Sequence, residues 1–221
     1  MDKFLKKIVW LFIIAPAIYL AIVWNKLPEK IATNFNEKGN PDRYGSKTGL
    51  MAGVAVLMVL ATTIGLLLPL AYKIDRKNRA VENKTRLLRM AFAISIFISF
   101  VACILINSSV YGIYFNIRII FGSIGLIWCI MGNYMHNIKP NYFAGFRNSW
   151  TLNNEEIWRR THLLGGKVWF AGGLLIVIVC FFASRNIVTI TFISVIFIII
   201  LIPFIYSYHL YKKQNALNST N

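Results

Sequence analysis

Six long apolar runs constrain the fold of this 221-residue chain more than any other feature. A helix that crosses the hydrocarbon core of a bilayer, about 30 Å thick, needs roughly 20 mostly apolar residues. Several runs are rich in Ile, Val and Phe, as buried strands are, but their length favours spanning helices. The sequence therefore predicts an all-α, polytopic membrane protein with about six transmembrane helices, at residues 8–24, 50–72, 90–106, 119–135, 168–183 and 187–208.

The first run has two interpretations. Three lysines precede it, and Ala15-Pro16-Ala17 resembles a cleavage site, as in a secretory signal peptide. The triplet lies in the middle of the run, however, and a proline inside a spanning helix is tolerated as a kink. We therefore expect a retained first helix.

The charge pattern is typical of a membrane protein and argues against a nucleic-acid partner. Hydrophobic residues make up 57% of the chain and charged residues 14%, whereas about a quarter of a soluble domain is charged. The net charge of +16 comes from basic residues that lie between the apolar runs rather than on one polar face. We expect the lipid bilayer as a partner and no direct nucleic-acid binding.

The three cysteines, Cys103, Cys129 and Cys180, all lie inside apolar runs, and no CxxC pair occurs. Thiols in such surroundings usually pack as small hydrophobes. The sequence therefore predicts no disulfide framework, no metal site and no cofactor.

The distribution of Lys and Arg predicts the orientation in the membrane. With the N-terminus inside, 17 of the 24 basic residues lie on the cytoplasmic side and 7 on the outer side. Cytoplasmic segments are enriched in Lys and Arg, so we expect both termini in the cytoplasm.

The two longest polar connections are then on opposite sides. Residues 25–49, here the 25–49 loop, are predicted to be outside, and residues 136–167, here the 136–167 loop, are predicted to be cytoplasmic. The predicted domains are 1–89, with the first two spans and the 25–49 loop, and 90–221, with four spans and the 136–167 loop.

The 25–49 loop contains strong turn signals. Gly39-Asn40-Pro41-Asp42 combines a residue that permits positive φ with one that fixes φ and one that caps locally, which predicts an ordered loop. Gly45, Gly49 and Gly53 recur every four residues, which predicts close helix packing at the start of the second span. The polar residues of this loop form either a rim that receives a ligand or a solvated turn.

The 136–167 loop predicts a short amphipathic helix. Asn153 stands three residues before Glu156, as an N-cap would, and the helix is expected to run to Leu164 and end at Gly165-Gly166. We expect ion pairs Glu155–Arg159 and Glu156–Arg160 at i,i+4 spacing. Such a helix is expected to lie in the membrane interface. Upstream, Arg147 suits a lipid phosphate, a helix C-terminus or a partner.

Catalysis is not predicted from this loop, so the chain is not expected to be an enzyme. Glu155, Glu156 and Arg160 spell E-E-x-x-x-R, the first motif of a class of intramembrane proteases. That class also needs later histidines inside the membrane, and the chain offers His162 one turn on and His209 at the far end. His136 and His162 share the loop, but two ligands are too few for zinc.

A family resemblance rests on the stretch GNYMHNIKPNYFAGFRNSWTLNNEEIWRRTHLLGGKVW. It closely resembles the signature of the SdpI family, six-helix bacterial membrane proteins named for immunity to the sporulation-delaying toxin. The chain departs from the signature at Phe146, Asn148, Ser149 and Leu163. Residues 27–47 resemble the extracellular module that precedes the signature in many members, with Asn34 in place of its usual histidine. The positions that match the signature are Gly132, Asn133, Met135, Pro140, Asn141, Gly145, Arg147, Trp150, Thr151, Trp158, Thr161, His162, Gly165 and Gly166.

The resemblance implies a dual role. Members protect the producing cell from a secreted peptide toxin, and some hold a small DNA-binding repressor at the membrane once toxin is bound. A transporter or channel is the alternative, and an intramembrane protease a more remote one. The 136–167 loop, through the signature residues, is expected to meet the cytoplasmic partner. The residues expected to face the toxin are Asn34, Phe35, Asn36, Gly39, Asp42, Gly45, Ser46 and Lys47.

Overall fold

The computed structural model describes residues 2–35, 41–74, 83–112 and 117–218, and within these ranges the chain is mostly α-helical. A 3₁₀ turn, Trp24–Lys26, follows the first helix. The strands are β1 Ile31–Phe35 and β2 Pro41–Gly45, and the helices are α1 Asp2–Val23, α2 Lys47–Ile74, α3 Lys84–Tyr111, α4 Ile117–Met135, α5 Ser149–Asn153, α6 Glu155–Phe182 and α7 Arg185–Asn218.

Six of the described helices are long and apolar enough to cross a membrane, which confirms the predicted fold class. Each covers all or nearly all of one predicted run, and among the described helices only the five-residue α5 is too short to span. Apolar side chains such as Val56, Phe181 and Ile190 are exposed along these helices, as expected where lipid is the solvent. The cytoplasmic location of the termini stays a prediction.

Contacts group the chain into two compact units that are described separately. Unit 1 comprises Met1–Leu67 and Ala91–Asn116, and unit 2 comprises Leu68–Met90 and Ile117–Asn221. The predicted division after residue 89 follows a different boundary and stays a prediction.

In unit 1, α1, α2 and α3 share an apolar core. Ile13 of α1, Ala61 of α2 and Ile98 of α3 pack together. Small residues allow the backbones of α2 and α3 to approach, and the Ser95 hydroxyl donates a hydrogen bond to the Ala61 carbonyl at 3.0 Å. Hydroxyl groups in spanning helices commonly bond to backbone carbonyls in this way.

In unit 2, α4 and α6 run antiparallel and meet along two glycine pairs. A Cβ on Gly132 would lie 2.6 Å from the carbonyl oxygen of Gly166, and a Cβ on Gly125 would lie 2.7 Å from that of Gly173. Helix backbones in this contact leave no room for a side chain. The pair Gly165-Gly166 was predicted to end the helix, which is wrong. The helix continues through both residues, and Gly166 allows the backbones of α4 and α6 to approach closely.

The β-hairpin gives the 25–49 loop its order. β1 pairs with β2 in antiparallel register, with Ile31 opposite Gly45. Ser46 then caps α2, and its hydroxyl oxygen accepts the Gly49 N–H at 3.1 Å. The predicted close packing of Gly45, Gly49 and Gly53 on one helix face is wrong. Gly45 lies in β2, and a Cβ on Gly53 would meet nothing within 4 Å.

Candidate functional site

The 136–167 loop is anchored to the start of α3 by Asn83. This side chain is fully buried, its amide donates to the Lys139 carbonyl at 2.9 Å, and its oxygen accepts the Lys139 N–H at 2.9 Å. Two parallel bonds hold a backbone segment as a neighbouring strand would. They fix the point at which the chain leaves α4.

Asn141 folds the next residues into a tight turn. Its oxygen accepts the N–H groups of Phe143 and Ala144, each at 2.8 Å. Its amide donates to the carbonyls of Lys139 and Ala144. All four hydrogen-bonding positions of this buried side chain are used, so no apolar residue could replace it without leaving buried backbone groups unpaired.

His162 lies at the centre of the loop, with 1% of its surface exposed. Its Nε2 accepts the N–H of Phe146 at 2.9 Å, and its Nδ1 lies 2.9 Å from the carbonyl of Trp158. Because Nε2 accepts, the proton is on Nδ1, which donates to that carbonyl, and the imidazole is neutral. Its ring stacks on Trp158 with centroids 3.9 Å apart.

Two glycines make room around this histidine. Gly145 has a φ of 112°, and a Cβ there would overlap His162 Nε2. Gly165 leaves space for the ring of Phe146, which a Cβ at that position would overlap. Phe146 is one of the four departures from the family signature, and the structure shows it packed between His162 and Trp169.

The short helix α5 connects the loop to α7. Asn148 caps α5 in a capping box with Thr151, and the Thr151 hydroxyl also donates to the Phe146 carbonyl at 2.8 Å. The indole N–H of Trp150 donates to the Ser207 hydroxyl at 2.9 Å. The ring of Trp150 also contacts aromatic side chains of α7, namely Phe204, Tyr208 and Tyr211.

The start of α6 differs from the sequence prediction. Asn154, not Asn153, is the N-cap, since its oxygen accepts the Ile157 N–H at 2.9 Å, and its amide donates to Gln214 of α7. The predicted pair of Glu155 with Arg159 is wrong, because Arg159 pairs with Glu156.

Glu156 therefore binds two cations, and the predicted contact with Arg160 is confirmed. The interface-helix interpretation of α6 is also wrong. The face with Ile157, Trp158 and Thr161 is buried in protein rather than lying on lipid.

Most signature residues build the loop rather than face outward. Asn133 and Arg147 are exposed, and Arg147 bonds to the Tyr142 carbonyl. Pro140, Gly145 and Trp150 are partly buried. The role of the signature residues as a partner-binding surface stays a prediction. The buried members are Gly132, Met135, Asn141, Thr151, Trp158, Thr161, His162, Gly165 and Gly166.

Catalytic geometry is absent from the described part of the loop. Glu156 is engaged by two arginines, and both nitrogens of His162 bond to backbone groups. The described residues contain no cluster of three or more His, Cys, Asp or Glu that could hold a metal ion. That the chain is not an enzyme stays a prediction.

The second candidate site lies under the β-hairpin in unit 1, at a cavity of about 560 Å³. Asn34 and Ser46, both predicted to face a toxin, line it. Lys47 pairs with Glu29 at 2.9 Å, and Asp42 is exposed. Gly45 lies opposite Ile31 at the base of the hairpin, and a Cβ there would lie 2.8 Å from Thr33. Phe35 belongs to β1, and Asn36 and Gly39 lie outside the described residues.

Sequence reasoning missed three residues of these sites. Asn83 and Ser207 hold the 136–167 loop from positions 56 and 57 residues away. Gly112 lines the cavity under the hairpin. Ser207 is a polar residue within the last apolar run, whereas Asn83 lies in a polar segment, between Glu82 and Lys84, and no local signal marks it.

Comparison with known proteins finds a family whose match includes most of the 136–167 loop. Residues 137–207 match the SdpI/YfhL protein family, a range that includes Lys139, which Asn83 holds, and Ser207. Over this range the chain is similar to the SdpI family. Residues 11–59 match a domain of unknown function (DUF1648) and cover most of α1, the hairpin and the first turns of α2.

A relative of similar length supports the assignment across the whole chain. The Immunity protein SdpI of Bacillus subtilis (strain 168) is 25% identical over 215 residues, which cover 96% of this chain and 98% of the relative. The comparison with solved structures found no match. The protein is a multi-pass protein of the bacterial cell membrane.

Proposed function

We propose that this protein is an immunity protein that protects its cell against a secreted antimicrobial peptide. The observation that carries the proposal is the similarity to Immunity protein SdpI over nearly the full length of both chains. Similarity of this extent includes the hairpin and the 136–167 loop. It is therefore not confined to apolar spanning helices, which can resemble one another in unrelated membrane proteins.

The basic residues support an outer position for the hairpin. The segments predicted to be cytoplasmic hold most of the Lys and Arg. Six spans then alternate so that the 25–49 loop faces outward and the 136–167 loop inward. A secreted peptide reaches the outer face first, where the hairpin and its cavity offer a recess for recognition.

A deletion strain tests the proposal. The strain is exposed to a panel of secreted antimicrobial peptides, including those in the supernatant of its own parent, and growth inhibition is measured. We expect deletion to raise sensitivity to at least one peptide and a plasmid copy to restore resistance. Unchanged sensitivity across the panel overturns the proposed function.

We further propose that the 136–167 loop captures a small cytoplasmic DNA-binding repressor when the peptide is bound. Coupling of this kind requires a different affinity for the partner in the two states. Since nine signature residues are buried, the residues available for contact are exposed ones such as Asn133 and Arg147.

A pull-down tests the repressor proposal. The protein is solubilised in detergent with and without a peptide that the deletion assay identifies, and the co-purifying proteins are identified by mass spectrometry. We expect a small DNA-binding protein only with peptide, and less of it with Arg147→Ala. The same proteins in both samples would contradict the coupling.

A further inference from the structure

The cavity under the hairpin lies where two spanning helices of unit 1 begin and end. Both strands cover it, through Ala32 of β1 and its partner Tyr44 of β2. The first turns of α2 and the last turns of α3 form its walls. Gly53 lies six residues into α2 and Leu105 six residues before the end of α3, so at 1.5 Å per residue the cavity extends about 9 Å below the helix ends. It therefore opens at the depth of lipid headgroups and reaches the depth of acyl chains.

The polarity of the lining changes from the rim of the cavity to its floor. Lys30 and Ser46 are exposed, whereas Ile31 and Val54 are buried. Tyr44 is also exposed, and tyrosine rings are enriched at the level of the headgroups because they are apolar with one polar end. A lining that is polar outside and apolar inside complements an amphiphile, which keeps its head at the rim and buries its apolar part.

Gly53 provides part of the apolar space. It lies within the regular helix α2, and a Cβ there would meet nothing within 4 Å. The paired glycines of α4 and α6 differ, since a Cβ on any of them would strike a backbone atom. Glycine is a poor helix former, and at Gly53 no helix packing compensates for it. The cavity volume of about 560 Å³ is within the range of sites that hold small ligands.

The charge at the rim indicates which amphiphile fits. Lys30 supplies the one charge among the described lining residues. The neighbouring carboxylate of Glu29 pairs with Lys47 at 2.9 Å, so it is held by another cation. A lysine at the membrane surface attracts anionic headgroups. A free anion such as phosphate would leave the apolar floor without a partner, whereas an anionic lipid satisfies both parts of the lining.

We propose that the cavity under the hairpin binds one anionic phospholipid, whose phosphate pairs with Lys30 and one of whose acyl chains extends past Gly53 to the floor. The inference goes beyond the proposed immunity function and does not depend on it. A secreted peptide that enters the same cavity would have to displace this lipid.

Photo-crosslinking tests the site directly. The full chain is held in phosphatidylcholine nanodiscs with a trace of phosphatidylglycerol that carries a photoreactive diazirine in one acyl chain, and crosslinks are mapped by mass spectrometry. Lipid surrounds every spanning helix, so competition is needed to distinguish the site. Unlabelled phosphatidylglycerol should lower the labelling of residues 49–54 and 105–109 about tenfold more than the same amount of added phosphatidylcholine does. Labelling of the lipid-exposed residues in the range 190–202 should respond equally to both lipids. Inorganic phosphate should not compete.

Matched variants separate the cavity from a general effect. Gly53→Leu fills the apolar space and favours the helix, so it should fold and label about tenfold less at residues 105–109. Ala52→Leu enlarges the exposed neighbouring residue, which does not line the cavity, and should label like the native protein. Lys30→Gln should lower the preference for phosphatidylglycerol about fivefold, because one cation near the surface is lost. Arg43→Gln removes an exposed cation that does not line the cavity and should keep the preference.

Three outcomes overturn the proposal. Equal competition by the two lipids at residues 49–54 and 105–109 means that ordinary surrounding lipid is labelled there. Equal labelling of the native protein and Gly53→Leu excludes the cavity, and equal effects of Lys30→Gln and Arg43→Gln exclude the pairing with Lys30. Competition by inorganic phosphate as strong as that by phosphatidylglycerol would assign the rim to a free anion instead.

Discussion

Replacing His162 with leucine tests whether the 136–167 loop is held by the histidine. The substitution removes the acceptor of the Phe146 N–H and the ring stacked on Trp158. A buried donor left unpaired costs about 1–3 kcal/mol. Loss of an aromatic pair costs about 0.5–1.5 kcal/mol more. We therefore expect His162→Leu to lower the free energy of unfolding by about 2–4 kcal/mol.

The loss can be measured in mixed micelles by titration with SDS, with tryptophan fluorescence as the signal. In thermal unfolding, the expected fall in the midpoint is roughly 5–12 °C for a chain of this size. Hydrogen exchange gives a local measurement, since the Phe146 amide should lose protection more than amides in the middle of α7.

Two further variants make the test specific. His162→Gln can place its amide oxygen near the position of Nε2, so it should restore part of the stability and most of the protection at Phe146. His136→Leu makes the same change at an exposed histidine and should have little effect. Equal losses for His162→Leu and His162→Gln would refute the role of this hydrogen bond, and so would unchanged exchange at Phe146.

Three other substitutions have defined outcomes. Gly145→Ala should destabilise the protein more than Gly112→Ala by SDS titration, because both have positive φ but only the first Cβ overlaps His162, and equal losses would contradict this. Asn83→Ala should cost about 1–3 kcal/mol in the same titration, since it leaves a buried N–H and carbonyl unpaired, whereas no loss would mean that water replaces the amide. Glu156→Gln should leave stability and protection nearly unchanged, because the ion pairs are exposed. Lost protection together with cleaved peptide in wild-type cells only would support the protease alternative.

Some local interpretations failed because they treated glycine as a purely local signal. Gly165-Gly166 was expected to end a helix, yet α6 passes through both residues. Gly166 faces the backbone of α4, and Gly165 faces the ring of Phe146. Conversely, Gly53 was expected to pack and lies beside open space. Glycine breaks a helix, allows close packing or leaves a cavity according to its neighbours, and the neighbours are distant in sequence.

The 136–167 loop shows the same limit. The family signature covers residues that hold the loop together, but the sequence suggested a helix resting on the membrane. The structure buries nine of the signature residues and holds the loop from Asn83 and Ser207. Most signature residues are consequently not exposed for contact with a partner.

The sequence by itself determined the six spanning helices and the membrane location. A bilayer requires each crossing segment to satisfy its own backbone hydrogen bonds and to be apolar over its length, and both conditions can be judged within about 20 consecutive residues. Only the tertiary structure decided which glycines touch another helix, which nitrogen of His162 accepts a hydrogen bond, and where a cavity forms under the hairpin. These features depend on groups that are brought together from distant positions, and no local pattern in the chain encodes their distances.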